Sequence, residues 1–234
     1  SISVEVLGEH DSAREMILPV GASLKDVLES INFTRRSNQS GIQLYRASVA
    51  AEQKEMLAAS LSLLERNVLT TPSSTNEAAL LRKVEAEGVL SWISRARQVE
   101  PRGQIILTEG FDPSAVLLRQ GDRIVIPSVN SIVQVHGDVT FPAAIVFKHK
   151  QSVMSYLNQA GGVSGRIKNK MIFIKKPNGS FLSLKGSVKY RGAVEPGDEI
   201  FVLSKPEVKS LQLTKDISQV LYQIAIAAAV VVAF

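Results

Sequence analysis

Short runs of alternating apolar and polar side chains open the chain. Val4 and Val6 bracket Glu5, Gly8 marks a turn, and Ile17 and Leu18 lead to Pro19, the pattern of two short strands. Ser23 is placed to cap a helix whose apolar face is Leu24, Val27, Leu28 and Ile31, with Asn32 as its stop signal, and Gly41 introduces a strand over Ile42 to Arg46. The same order returns later. Ile132 to Gly137 repeats the first pattern, Val146 to Lys148 the second, and Ser152 caps a helix with Val153, Tyr156 and Leu157 inward, ended by Gly161 and Gly162. Met171 to Lys176 then alternates as a strand, and a Pro177-Asn178-Gly179 turn leads into Phe181 to Leu184.

Both copies close on one signature, LRQGDRIVIP at Leu118 to Pro127 and VEPGDEIFVL at Val194 to Leu203, in which a Gly-Asp turn feeds an apolar strand. A repeated unit of strand, strand, helix, strand and turn-strand predicts a small α+β module present twice. The copies differ by an insertion. Val49, Met56, Leu57, Leu61 and Leu64 recur at helical spacing up to Thr70-Thr71-Pro72, and Ser74-Thr75-Asn76-Glu77 forms a capping-box pattern ahead of Leu80, Leu81, Val84, Val89, Trp92 and Ile93. Two such helices with a short join predict an antiparallel hairpin over residues of about 47–100, after which Gln104 to Leu107 resumes the sheet.

The C-terminal stretch follows a third pattern. From Ile217 the sequence ISQVLYQIAIAAAVVVAF runs about eighteen residues without a charge, near the minimum for a helix that crosses a hydrocarbon core. Gln212, Asp216, Gln219 and Gln223 share one helical face, while Leu213, Val220, Leu221, Ile224, Val231 and Val232 fall mostly elsewhere around it. An amphipathic helix of this kind fits a membrane span whose polar side meets a lumen or neighbouring helices and whose apolar side meets lipid or an adjacent subunit; a buried core helix is the other reading. The expected plan is a first module over 1–130, a second over 131–207, and a terminal helix over 208–234.

Composition adds limits. At 234 residues and 45% hydrophobic the chain is globular, and with no cysteine it holds no disulfide, thiol nucleophile or thiolate metal site. The opening SISVEVLGE has no initiator Met or apolar leader, so a mature protein or a C-terminal fragment is expected. Net charge is only +5, but Arg166, Lys168, Lys170, Lys175, Lys176, Lys185, Lys189 and Arg191 fall in a stretch with no Asp or Glu, a candidate contact for an anionic polymer. On alternating strands only half of these side chains share a face. The histidines, His10, His136 and His149, lie far apart without ligand spacing, and no nucleophile elbow, phosphate loop or dinucleotide fingerprint occurs. Asp122 and Asp198 read as turn residues rather than catalytic acids. No enzyme activity, cofactor or metal is expected, and sparse aromatic interleaving argues against nucleic acid.

PRGQIIL after a helical hairpin, LRQGDRIVIPS followed by VQVHGDV, a helix ending in QAGGVSG, and then EPGDEIFV resemble the SLBB (soluble-ligand-binding β-grasp) modules of outer-membrane polysaccharide export proteins of the Wza-like type, and most closely the KpsD-like group. The resemblance covers nearly the whole chain. It implies tandem β-grasp modules that form homo-oligomeric periplasmic rings, C-terminal helices that join into an α-helical barrel through the outer membrane, an inner-membrane polysaccharide co-polymerase as partner, and a polysaccharide as cargo. The family's upstream export motif is absent from this sequence. A periplasmic polysaccharide-binding module with a packed C-terminal helix and a tail-anchored inner-membrane protein remain as alternatives.

Overall fold

The computed structural model describes residues 1–70, 72, 75–184 and 192–227. The first sheet comprises β1 (Ile2–Gly8), β2 (Glu15–Leu18), β3 (Gln43–Tyr45), β4 (Gln104–Ile105) and β5 (Arg123–Ile126), in the order β2-β1-β5-β3-β4. Only β1 and β5 are parallel. Helix α1 (Leu24–Ser30) covers one face, and its start follows from a reciprocal cap in which Ser23 and Asp26 satisfy each other's backbone N–H groups. The second sheet repeats the order with β6 (Ile132–Gly137), β7 (Ala143–Val146), β8 (Lys170–Lys175), β9 (Phe181–Ser183) and β10 (Glu199–Ser204), again with a parallel central pair, β6 and β10. Helix α4 (Val153–Gln159), capped by Ser152, takes the place of α1. Each sheet therefore has a central parallel pair flanked by antiparallel strands and covered by one helix. The repeat seen in the sequence is thus a repeat in space.

The recurring glycine and aspartate positions have physical causes. Gly8 and Gly137 end β1 and β6 with φ of +98° and +88°. Each lies opposite the parallel neighbour, Ile126 or Val202, and a Cβ at either position would overlap that residue's carbonyl oxygen. The Gly-Asp aspartates are buried structural acceptors. Asp122 accepts from Arg46 Nε at 2.9 Å, from Arg46 Nη2 at 2.7 Å and from the Arg119 backbone N–H at 2.9 Å. Asp198 accepts from Lys176 Nζ at 2.6 Å and the Glu195 backbone N–H at 2.8 Å. In each copy a cation just beyond the third strand clamps the turn that precedes the last one.

The two copies part company on the outer face of the sheet, away from the module's own helix. In the first, Ile124 and Ile126 pack inward with Val4, Val6, Leu24, Val27 and Leu44, while Arg123 is exposed. In the second, Ile200 and Val202 pack inward with Val133, Val135, Tyr156 and Leu157, and Phe173, Phe201 and Leu203 are buried on the opposite face as well. A helical layer buries them. It consists of the inserted hairpin, α2 (Ala47–Thr70) and α3 (Asn76–Ala96), together with α5 (Leu211–Ala227). Leu57, Leu61 and Leu64 of α2, Val89, Trp92 and Ile93 of α3, and Ile217, Val220, Leu221 and Ile224 of α5 form one core with Phe173, Phe201 and Leu203. An insertion in the first module therefore covers the sheet of the second.

The hairpin forms where periodicity places it, and Thr75 supplies the N-cap of α3 by accepting from the Ala78 N–H; Ser74 lies outside the described residues. Its apolar face is only partly buried. Met56, Leu80, Leu81 and Val84 are exposed, the last three on the stretch of α3 nearest the turn, N-terminal to the buried Val89 and Trp92. Replacing Gly8 by Ala is expected to destabilise the chain by about 3 kcal/mol in urea unfolding, because positive φ and carbonyl overlap act together, whereas Gly121→Ala, with equally positive φ but open space around it, should cost about 1 kcal/mol.

Candidate functional site

The basic tract does not form one surface. Lys170 donates to Asp138 and to Ser204 Oγ, which itself donates to Asp138, so its charge serves an internal network. Lys176 is held by Asp198 and by Glu195 Oε2 at 3.0 Å. Lys175 is buried beside its cross-strand neighbour Glu199. Burial draws the Lys175 ammonium below the usual lysine range; Glu199 opposes that shift and Arg102 adds to it. Lys185, Lys189 and Arg191 lie outside the described residues. Arg166 and Lys168 remain as the exposed pair of the tract.

These two line a groove of about 1200 Å³ bounded by α3, the end of β10 and the start of α5. Arg82 and Arg95 face them from α3, and Lys205 and Lys209 from the connection into α5, against two carboxylates, Glu85 and Glu207. Both carboxylates are engaged: Glu85 accepts the Lys209 backbone N–H at 2.6 Å, and Glu207 accepts from Asn169. Arg82 Nη1 is buried and has no hydrogen-bond partner among the described residues. The floor is apolar, with Val89, Trp92, Leu213 and Ile217, and Trp92 Nε1 donates to the Ser204 carbonyl at 3.2 Å. Six cations over an apolar floor suit a polymer that carries both charge and apolar ring faces.

Sequence reading missed four of those six cations, because they lie outside the acid-free tract. One signal was present: Arg82 stands seven residues before Val89, so a cation occupies the buried stripe of α3.

The terminal helix lies against its own chain. Leu213, Val220, Leu221 and Ile224 are buried in the core shared with α2, α3 and the second sheet, and a lipid-facing or subunit-facing position would require α5 to leave it. Phe173 explains the attraction, since it meets Tyr222 edge-on at 5.6 Å and Phe181 at 5.9 Å. The polar stripe runs beside α2: Asp216 accepts from Asn67 at 3.2 Å and from Gln212 at 2.8 Å, Gln223 donates to Ser60 Oγ at 3.0 Å, and Gln219 is exposed. Among the described residues no helix is long and apolar enough to cross a membrane. Val231 and Val232 lie outside them.

Two curated relatives, both polysialic acid transport proteins KpsD of Escherichia coli, are each 39% identical to this chain over 231 residues, which is 99% of the chain and 40% of their own length. The chain is KpsD-like throughout. It spans about 40% of the length of those relatives and corresponds to one region of them. No family model matches it. The resemblance carried by the Gly-Asp signatures and the helical hairpin is thus upheld by comparison along nearly every residue.

Within this KpsD-like region the tract divides into structural and available cations, and stability separates them. Lys170→Ala is expected to cost about 2 kcal/mol by stranding Asp138, while Arg166→Ala and Lys168→Ala should stay within about 0.5 kcal/mol. Burial pushes the Asp138 carboxyl up, but the hydrogen bonds from Lys170 and Ser204 and the Lys170 charge outweigh it and hold the group below its ordinary 3.8. That contribution is present above about pH 3.8 and is lost as pH falls through the depressed value. The gap between wild type and Lys170→Ala should therefore close in acid, as measured by urea unfolding across pH.

Proposed function

We propose that this chain is the tandem β-grasp part of a subunit of an oligomeric outer-membrane channel that exports capsular or extracellular polysaccharide. The observation that carries the reading is the 39% identity to polysialic acid transport proteins over 99% of the chain. Residues 1–130 and 131–207 act as the two SLBB modules of a periplasmic ring, and an inner-membrane co-polymerase delivers the polymer. The groove bounded by Arg82, Arg95, Arg166 and Lys168 is where an anionic polymer is held, because its cations outnumber its carboxylates. The protein has no catalytic role in this scheme.

Residues 208–234 have two possible roles. As a stave of an outer-membrane barrel, α5 swings out of its core, with Gln212, Asp216, Gln219 and Gln223 toward the lumen or neighbouring helices and Leu213, Val220, Leu221, Ile224, Val231 and Val232 toward lipid or the next subunit. In the second reading the helix stays packed and the chain works as a periplasmic polysaccharide-interaction module. The hydrogen bond from Gln223 to Ser60 and the continuous core of α2 and α5 favour that second state in the isolated chain.

Ser60→Cys with Gln223→Cys in the full-length protein, joined by a short bismaleimide, decides between them. If α5 becomes a stave, the crosslinked protein loses capsule export while each single cysteine variant keeps it. Export that survives full crosslinking removes the barrel role of α5.

A further inference from the structure

A second cleft, of about 240 Å³, lies where the outer face of the first sheet meets the second module. Leu7, Gln43, Tyr45 and Arg123 border it from the first sheet, Lys175 and Glu199 from the second, and Arg102 from the segment between α3 and β4. The modules are joined beside it, with Gln104 Nε2 donating to the Pro177 carbonyl at 3.0 Å and the Leu107 N–H to the Asn178 carbonyl at 3.2 Å. The walls of the cleft are therefore braced.

The charges in this cleft do not balance. Equivalent positions of the repeat carry Tyr45 opposite Arg123 in the first sheet and Lys175 opposite Glu199 in the second. Lys175 and Glu199 are matched in charge, and Lys176 has Asp198 and Glu195. Among the described residues neither Arg102 nor Arg123 forms an ion pair, although Glu199 is near enough to Arg102 for the two charges to act on each other. Instead both crowd one aromatic ring, their Cζ atoms lying 5.2 Å and 5.7 Å from the Tyr45 centroid. The ring is buried, and its hydroxyl donates to Gln43 Oε1 at 2.9 Å, so it is a fixed platform. Both arginines line the cleft, and a guanidinium fork matches a carboxylate in shape and charge.

We propose that this cleft binds the carboxylate of one acidic sugar unit through Arg102 and Arg123, with Gln43 within reach of the sugar's hydroxyl groups. The site is separate from the groove beside α3, and the inference rests on the export reading only for the choice of a sugar as ligand. Its position between the modules would fix an acidic unit of a polymer at the seam of the subunit.

Isothermal titration of the chain with the methyl glycoside of N-acetylneuraminic acid tests this, with the methyl ester of the same glycoside and inorganic sulfate as the other arms. The acid should bind, and the ester and sulfate should each bind about tenfold more weakly, the size of one lost charge-assisted hydrogen bond. Arg102→Gln with Arg123→Gln should weaken the acid by about tenfold or more, and Arg102→Lys with Arg123→Lys should recover part of the loss. Both arginines are exposed, so circular dichroism and urea unfolding of the variants should match wild type. Equal binding of the ester or of sulfate, or an undiminished affinity in the Arg102→Gln, Arg123→Gln protein, overturns the proposal. Either result leaves the export reading standing, since that is decided by capsule export in cells.

Discussion

The second sheet buries apolar side chains on both faces, and that constraint organises the molecule. Ile200 and Val202 point to α4, while Phe173, Phe201 and Leu203 point the other way and must be removed from water. A buried side chain of this size is worth about 1.5–3 kcal/mol over an exposed one, so an open face of that composition would not persist in a monomer. The chain covers it twice over, with a hairpin reached from the first module and a helix added after the second. Neither cover belongs to the repeat. The two five-stranded units are therefore tied together by the elements that make them unequal.

Both candidate binding surfaces follow from this cross-bracing. The large groove lies where α3, the end of β10 and the start of α5 meet, and Arg82, Arg95, Arg166 and Lys168 all line it. The smaller cleft lies between the outer faces of the two sheets where the hairpin returns to β4, with Arg102 and Arg123 beside the Tyr45 ring. In both, cations exceed carboxylates, although the acid-free tract between Arg166 and Arg191 supplies only part of the charge. Lys170 and Lys176 were drawn into the same class by composition, yet they neutralise Asp138 and Asp198 inside the second module.

Local signals made the repeat legible. Gly8 and Gly137 are required by a carbonyl oxygen, Ser23 and Ser152 by helix ends, and Asp122 and Asp198 by backbone N–H groups and a paired cation, so each leaves a residue-level mark. The third layer left a fainter one. The run Ile200 to Leu203 that follows Glu199 is apolar at every position, and such a run signals burial on both faces. What covers the second face is a long-range pairing, and no local spacing specifies it. The stripe of Gln212, Asp216, Gln219 and Gln223 was ambiguous for the same reason: Asn67 and Ser60 of α2 satisfy it as well as water in a lumen would.

Native-state hydrogen exchange along α5 in the isolated chain bears most directly on the claim that one helical layer holds the two modules as a unit. The amides of Val220, Leu221 and Ile224 should exchange only with global unfolding, at the same free energy as those of β8 and β10. Exchange of α5 through a lower-energy opening, while β8 and β10 remain protected, would contradict it.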